Sequence, residues 1–224
     1  MAAYQTIAID QEAFLAFIEA PSSTLLDKFL KALASNEDAN DFFEEVPPVW
    51  QTDPIGWVTK RLASDDWYGD LTEGEALAWD SAIGSMWSQF KPSTTVKKTE
   101  HGAIQQHIFD LAEEMFESDR ANHQMLRMTP YRSHRLAPEI ESAEPYDRIY
   151  WPTHAMLDTQ QLEALQHDLL EFQKRLPSYE IESSDVFDSI EERRRESELE
   201  STELLNYIGR LKAANAMWYA RIDS

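Results

Sequence analysis

The 224 residues carry 41 acidic and 20 basic side chains, a net charge of −21, and no cysteine. That excludes disulfides, thiolate-bound zinc, iron–sulfur clusters and thiol nucleophiles, and the charge repels nucleic acid and anionic lipid while steering basic partners toward the chain at low salt. Hydrophobic residues at 42% and aromatics at 11% exceed what a disordered chain carries, and the 6 glycines form no G-x-G-x-x-G or G-x-x-x-x-G-K-[ST] loop for a nucleotide.

The N-terminal run Met1–Asp10 lacks a basic n-region and a long apolar stretch, so no secretory signal is expected. No segment approaches the roughly 18 apolar residues of a membrane span, and a cytoplasmic location is the default expectation. Tyr4 to Ile9 alternates with β-branched residues and predicts a short strand. Asp10 then caps a helix with Phe14, Leu15, Phe17 and Ile18, and Pro21 ends it. Ser22 or Ser23 opens a second helix with Leu25, Leu26, Phe29, Leu30 and Leu33 at helical spacing. Residues 36–45 are acidic, Pro47 and Pro48 break the chain, and Pro54 falls near the first turn of a helix with Ile55, Trp57, Val58 and Leu62.

Thr72 and Glu75 form a capping box, followed by the apolar stripe Trp79, Ile83, Met86, Trp87 and Phe90, with Pro92 beyond its end. After the polar connector 91–98, a helix is predicted from about Glu100 to Ser118 with Ile104, Ile108, Leu111 and Met115 on one face. Residues 129–154 hold four prolines, and Arg148–Trp151 reads as a strand. Asp158 or Thr159 caps a helix with Leu162, Leu165, Leu169 and Phe172, ended by Pro177. A last helical region is predicted from near Asp185. Its segment Glu191–Glu198 has no apolar residue and reads as a solvent-bridging helix or a charged connector, with Glu191/Arg195 and Arg194/Glu198 at i,i+4. Leu204, Ile208 and Leu211 resume a buried stripe, and Met217–Ile222 closes as a strand.

The fold class expected is α+β, helix-dominated: a single domain over 1–224, with a possible sub-boundary at 91–98. Its small sheet comes from the chain termini and residues 147–151. Three segments set that layout: Tyr4–Asp10 running into a helix, the helical unit Asp158–Leu176 with its following proline, and Leu204–Ile222 turning from helix into aromatic strand. Over about 60 residues this layout resembles the YfbM-like bacterial domains. The resemblance implies an α+β fold and carries over no activity or site residue.

Several constellations bear on chemistry. His107, Asp110 and Glu114 share one side of a predicted helix at i, i+3 and i+7, a spacing open to a transition metal if His101 or His167 joined them. No H-E-x-x-H accompanies them, and a solvated polar face is the simpler reading, so no metal and no cofactor is expected. Arg120, Arg127, Arg132 and Arg135, with His123, His134 and Tyr131, make residues 120–135 basic and free of acids. That suits an anion or phosphate site, or neutralises the chain's own carboxylates. Tyr150, Trp151 and His154 flank Pro152 and read as a ligand pocket or as core at a strand end. Trp67 and Tyr68 sit among Asp65, Asp66 and Asp70, and aromatics rimmed by acid suit an interface with a basic protein. No G-x-S-x-G or S-x-x-K supports serine catalysis.

The first 90 residues hold 16 acids against 4 bases. Together with the missing catalytic motifs, this points to an acidic protein-binding module. Its concrete version is an immunity or antitoxin-type inhibitor of a basic, nucleic-acid-targeting partner. An enzyme or ligand-binding protein with an anion site around residues 120–154 is the alternative, and a structural role through the 185–204 charged helix is a third.

Overall fold

The alternating segment at the N-terminus forms two strands in one line, β1 (Ala3–Gln5) and β2 (Ile7–Asp10), interrupted at Thr6. The structure, a computed structural model, describes residues 3–34, 53–62, 87–100, 102–105, 107–116, 154–181 and 189–223. Its remaining strands are β3 (Ala103–Gln105), β4 (His154–Leu157) and β5 (Ala216–Asp223). The α-helices are α1 (Gln11–Glu19), α2 (Ser23–Ala34), α3 (Pro54–Leu62), α4 (His107–Phe116), α5 (Thr159–Arg175) and α6 (Ile190–Ala213).

β5 organises the sheet. β1 and β2 both pair antiparallel with it in one register, Tyr4 opposite Ile222 and Ile9 opposite Met217, while β4 pairs along its other edge, Leu157 opposite Trp218. β3 adds to the outside of β1. Where the ladder breaks, Trp218 Nε1 donates to the Gln5 carbonyl at 2.9 Å and the Thr6 N–H donates to the Gly102 carbonyl at 2.9 Å. The interruption therefore leaves the Gln5 carbonyl and the Thr6 N–H paired.

Side chains alternate across a strand, and β5 is covered on both faces. Ala216, Trp218 and Ala220 join the cluster built by α4, α5 and α6, with Trp218 edge-on to Tyr207 at 6.0 Å. Met217 and Tyr219 are buried too, and Tyr219 packs against Trp87 at 4.3 Å. Trp87 in turn meets Phe14 of α1 at 5.1 Å. Helices thus lie on both sides of a small antiparallel sheet, the helix-dominated α+β layout expected.

The caps follow sequence chemistry. Asp10 Oδ1 accepts the Ala13 N–H at 2.9 Å to start α1. Asp158 and Gln161 form a reciprocal capping box that starts α5. Asn215, at φ 49°, turns the chain from α6 into β5, a left-handed position that asparagine tolerates.

Two expectations need correction. The helix predicted from Glu100 to Ser118 starts only at His107. Gly102 adopts φ 72°, a left-handed conformation that stops a helix, and Ile104 goes into β3 opposite Tyr4. The last helix starts at Ile190, not near Asp185: Ser189 Oγ accepts the Glu192 N–H at 3.1 Å and sets the N-terminus. His154–Leu157 adds a strand to the sheet, while the strand expected at 147–151 lies outside the described residues. The capping box at Thr72 and Glu75 also lies outside them. The end of its apolar stripe appears as a 3-10 turn, Trp87–Gln89, with Trp87 and Phe90 buried.

Candidate functional site

Two places in the described residues collect polar chemistry. The first is interior. α6 carries one inward stripe: Arg193, Ser197 and Ser201, then Leu204, Ile208 and Leu211, all buried. The spacing is that of a single helix face, so the polar half and the apolar half are in phase. The charged segment is therefore neither a solvent-bridging helix nor a connector: it is the continuation of a buried stripe.

The polar half of that stripe meets α4. The Arg193 guanidinium donates to Glu114 Oε1 at 2.8 Å; Arg193 is 7% exposed, whereas the Glu114 side chain is 40% exposed. His107, in the first turn of α4, is buried. Burial foremost, then the Arg193 charge, lowers its imidazole from 6.5 to about 4, with Glu196 acting in the opposite sense. On the neighbouring strand Tyr4 is buried, and burial together with the Asp110 carboxylate raises its phenol. On α5, Gln173 Nε2 donates to Ser201 Oγ at 3.0 Å and Thr202 Oγ1 at 2.9 Å.

The lowered imidazole has a stability consequence. Above pH 6.5, His107 is neutral in both states and contributes no pH dependence. As pH falls below 6.5 the unfolded chain takes up a proton that the folded chain refuses. Stability therefore drops until about pH 4, by about 3 kcal/mol in total. Replacing His107 by Leu flattens the curve of unfolding free energy against pH over that window; an unchanged slope contradicts it.

The second place is on the surface. The outward side of α1 and Asn215 line a groove of about 370 Å³, with Gln11, Glu12, Leu15, Ala16 and Glu19 as the other contributors. Phe14 and Phe17 on the opposite side of α1 anchor the helix against Phe90, at 5.5 and 5.4 Å. Glu12 and Glu19 are exposed at the groove, and Leu15 is half-buried between them.

Of the residues singled out from sequence, Asp65, Asp66, Trp67, Tyr68 and Asp70 lie outside the described residues, as do Arg120, Arg127, Arg132 and Arg135. So do His101, Tyr150 and Trp151, while His154 opens β4. The row His107, Asp110, Glu114 is on one helix, but Glu114 is engaged by Arg193 and His107 is buried. Among the described residues no group of three His, Asp or Glu side chains could hold a metal ion. The pairs Glu191/Arg195 and Arg194/Glu198 are replaced by others: Arg195 contacts Glu196 at 2.9 Å and Glu192 at 3.9 Å, and Arg194 donates to the Tyr179 carbonyl at 2.8 Å. Sequence reading missed the Arg193–Ser197–Ser201 stripe, although its phase with Leu204 carried the signal.

Among the described residues no helix is long and apolar enough to cross a membrane. Comparison with protein-family models, with characterised proteins and with solved structures finds no match to this chain.

Proposed function

We propose that this chain is a protein-binding module whose acidic surface engages a basic protein partner. The observation that carries the reading is the groove on α1, where Glu12 and Glu19 stand beside Leu15 and Ala16 on a chain of net charge −21. An apolar floor removes water from a contact and a charged rim selects the partner's sign. The long-range field of the excess carboxylates draws a cationic partner in before contact. In the sequence, Asp65, Asp66, Trp67, Tyr68 and Asp70 again set acids beside apolar side chains. In its concrete form the module is an immunity or antitoxin-type inhibitor, because a toxin that acts on nucleic acid presents the basic cleft that such a surface complements.

The groove carboxylates are exposed, so reversing them leaves the core intact. The immobilised wild-type chain is expected to retain a basic protein from native lysate. The double variant Glu12→Lys/Glu19→Lys, shown to be folded by its unfolding transition, is expected to lose it. Equal retention by both forms removes the groove from the interface.

A further inference from the structure

The two halves of α6 are held by different forces. Among the described residues the apolar cluster reaches α6 from Leu204 onward, through Leu204, Tyr207, Ile208 and Leu211. Before Leu204, the buried side chains are Arg193, Ser197 and Ser201. Among the described residues this half is tied down by polar contacts: Arg193 to Glu114, Arg194 to the Tyr179 carbonyl, Gln173 to Ser201, Glu200 to the Gln105 N–H at 3.4 Å and Glu203 to the Glu100 N–H at 3.3 Å. Ser197 Oγ is buried with no hydrogen-bond partner among the described residues. Meanwhile Ile190 and Leu199, the large apolar side chains of this half, are 39% and 55% exposed.

Apolar burial is the main force that docks a helix. A buried ion pair offsets its own desolvation only in part, and a buried hydroxyl without a partner opposes docking. Segments with few buried apolar contacts open at lower free energy than the core. We infer that residues 190–201 of α6 form a separate local-unfolding unit, latched by Arg193 on Glu114, which opens while residues 204–213 stay docked on the sheet. Opening parts the two charges and uncovers the sides of α4 and β3 that this half covers. The half-exposed Glu114 is the accessible member of the latch.

Native-state hydrogen exchange of the full chain, read by mass spectrometry, tests this. Amides of residues 194–201 are expected to exchange at least about tenfold faster than those of residues 205–212. Glu114→Gln releases the latch and is expected to speed the first group while leaving the second unchanged. Ser197→Ala removes the buried hydroxyl and is expected to slow the first group, narrowing the gap. If Glu114→Gln fails to fold, the wild-type comparison and Ser197→Ala still decide. Equal protection of both halves in the wild type, or acceleration of both halves together by Glu114→Gln, overturns the proposal.

Discussion

Truncating Trp218 to Ala is expected to cost about 3–5 kcal/mol, the range for deleting a large aromatic from a close-packed core. The ring is fully buried in the central strand, edge-on to Tyr207, and its Nε1 donates to the Gln5 carbonyl at 2.9 Å. Its loss leaves a cavity between β5 and α6 and strips the donor from the carbonyl at the break between β1 and β2. Against a typical domain stability of about 5–15 kcal/mol, the variant should lose a large share of its resistance to urea. Trp218→Phe separates the two effects. It keeps an aromatic ring in the site but not the N–H, and is expected to be milder, about 1–3 kcal/mol for the lost hydrogen bond. Equilibrium urea unfolding of the three proteins reads this directly. A Trp218→Ala midpoint close to the wild type would mean that β5 is not the centre of the core.

Glu114 and Arg193 are expected to be strongly non-additive. Glu114→Ala alone leaves the guanidinium of Arg193 buried without that carboxylate. Removing one partner of a fully buried pair costs about 3–5 kcal/mol. Because the Glu114 side chain is 40% exposed, water reaches the pair, and we expect a smaller loss of about 1–3 kcal/mol. The double variant Glu114→Ala/Arg193→Met removes the buried charge and keeps an unbranched stem in its place, so it should recover most of that loss. Unfolding free energies of the four proteins close the cycle. Losses that simply add would show that the pair does not couple α4 to α6.

How far the sequence foretold this fold depended on whether local pattern and tertiary role agreed. Met217–Ile222 read as a strand because Trp218, Tyr219 and Ile222 favour one, and it became the centre of the sheet. Asp10 and Asp158 read as caps because a short acidic side chain can reach the N–H groups of a first turn, and both do. Ile104 misled, because it fits the helical period of Ile108 and Leu111; the backbone of Gly102 decided otherwise, and in the sequence Gly102 is a single letter before an apolar run. The charged start of α6 misled for a deeper reason. Polar residues read as solvated unless their partners are known, and Glu114, a partner of Arg193, is 79 positions away in the chain. The α1 groove was not legible at all: Gln11, Glu12, Leu15, Ala16 and Glu19 share one side of a helix, but only the fold brings Asn215 beside them.

The proposed function rests on charge, and charge answers to salt. Affinity capture on the immobilised chain from native lysate, at about 50 mM and about 300 mM salt, spans the range over which the Debye length shrinks through about 10 Å at 0.1 M. A basic protein, identified by mass spectrometry, is expected to be retained at the lower salt and released at the higher. A basic partner retained equally at both, or no basic protein at either, would contradict an acidic module built to bind one.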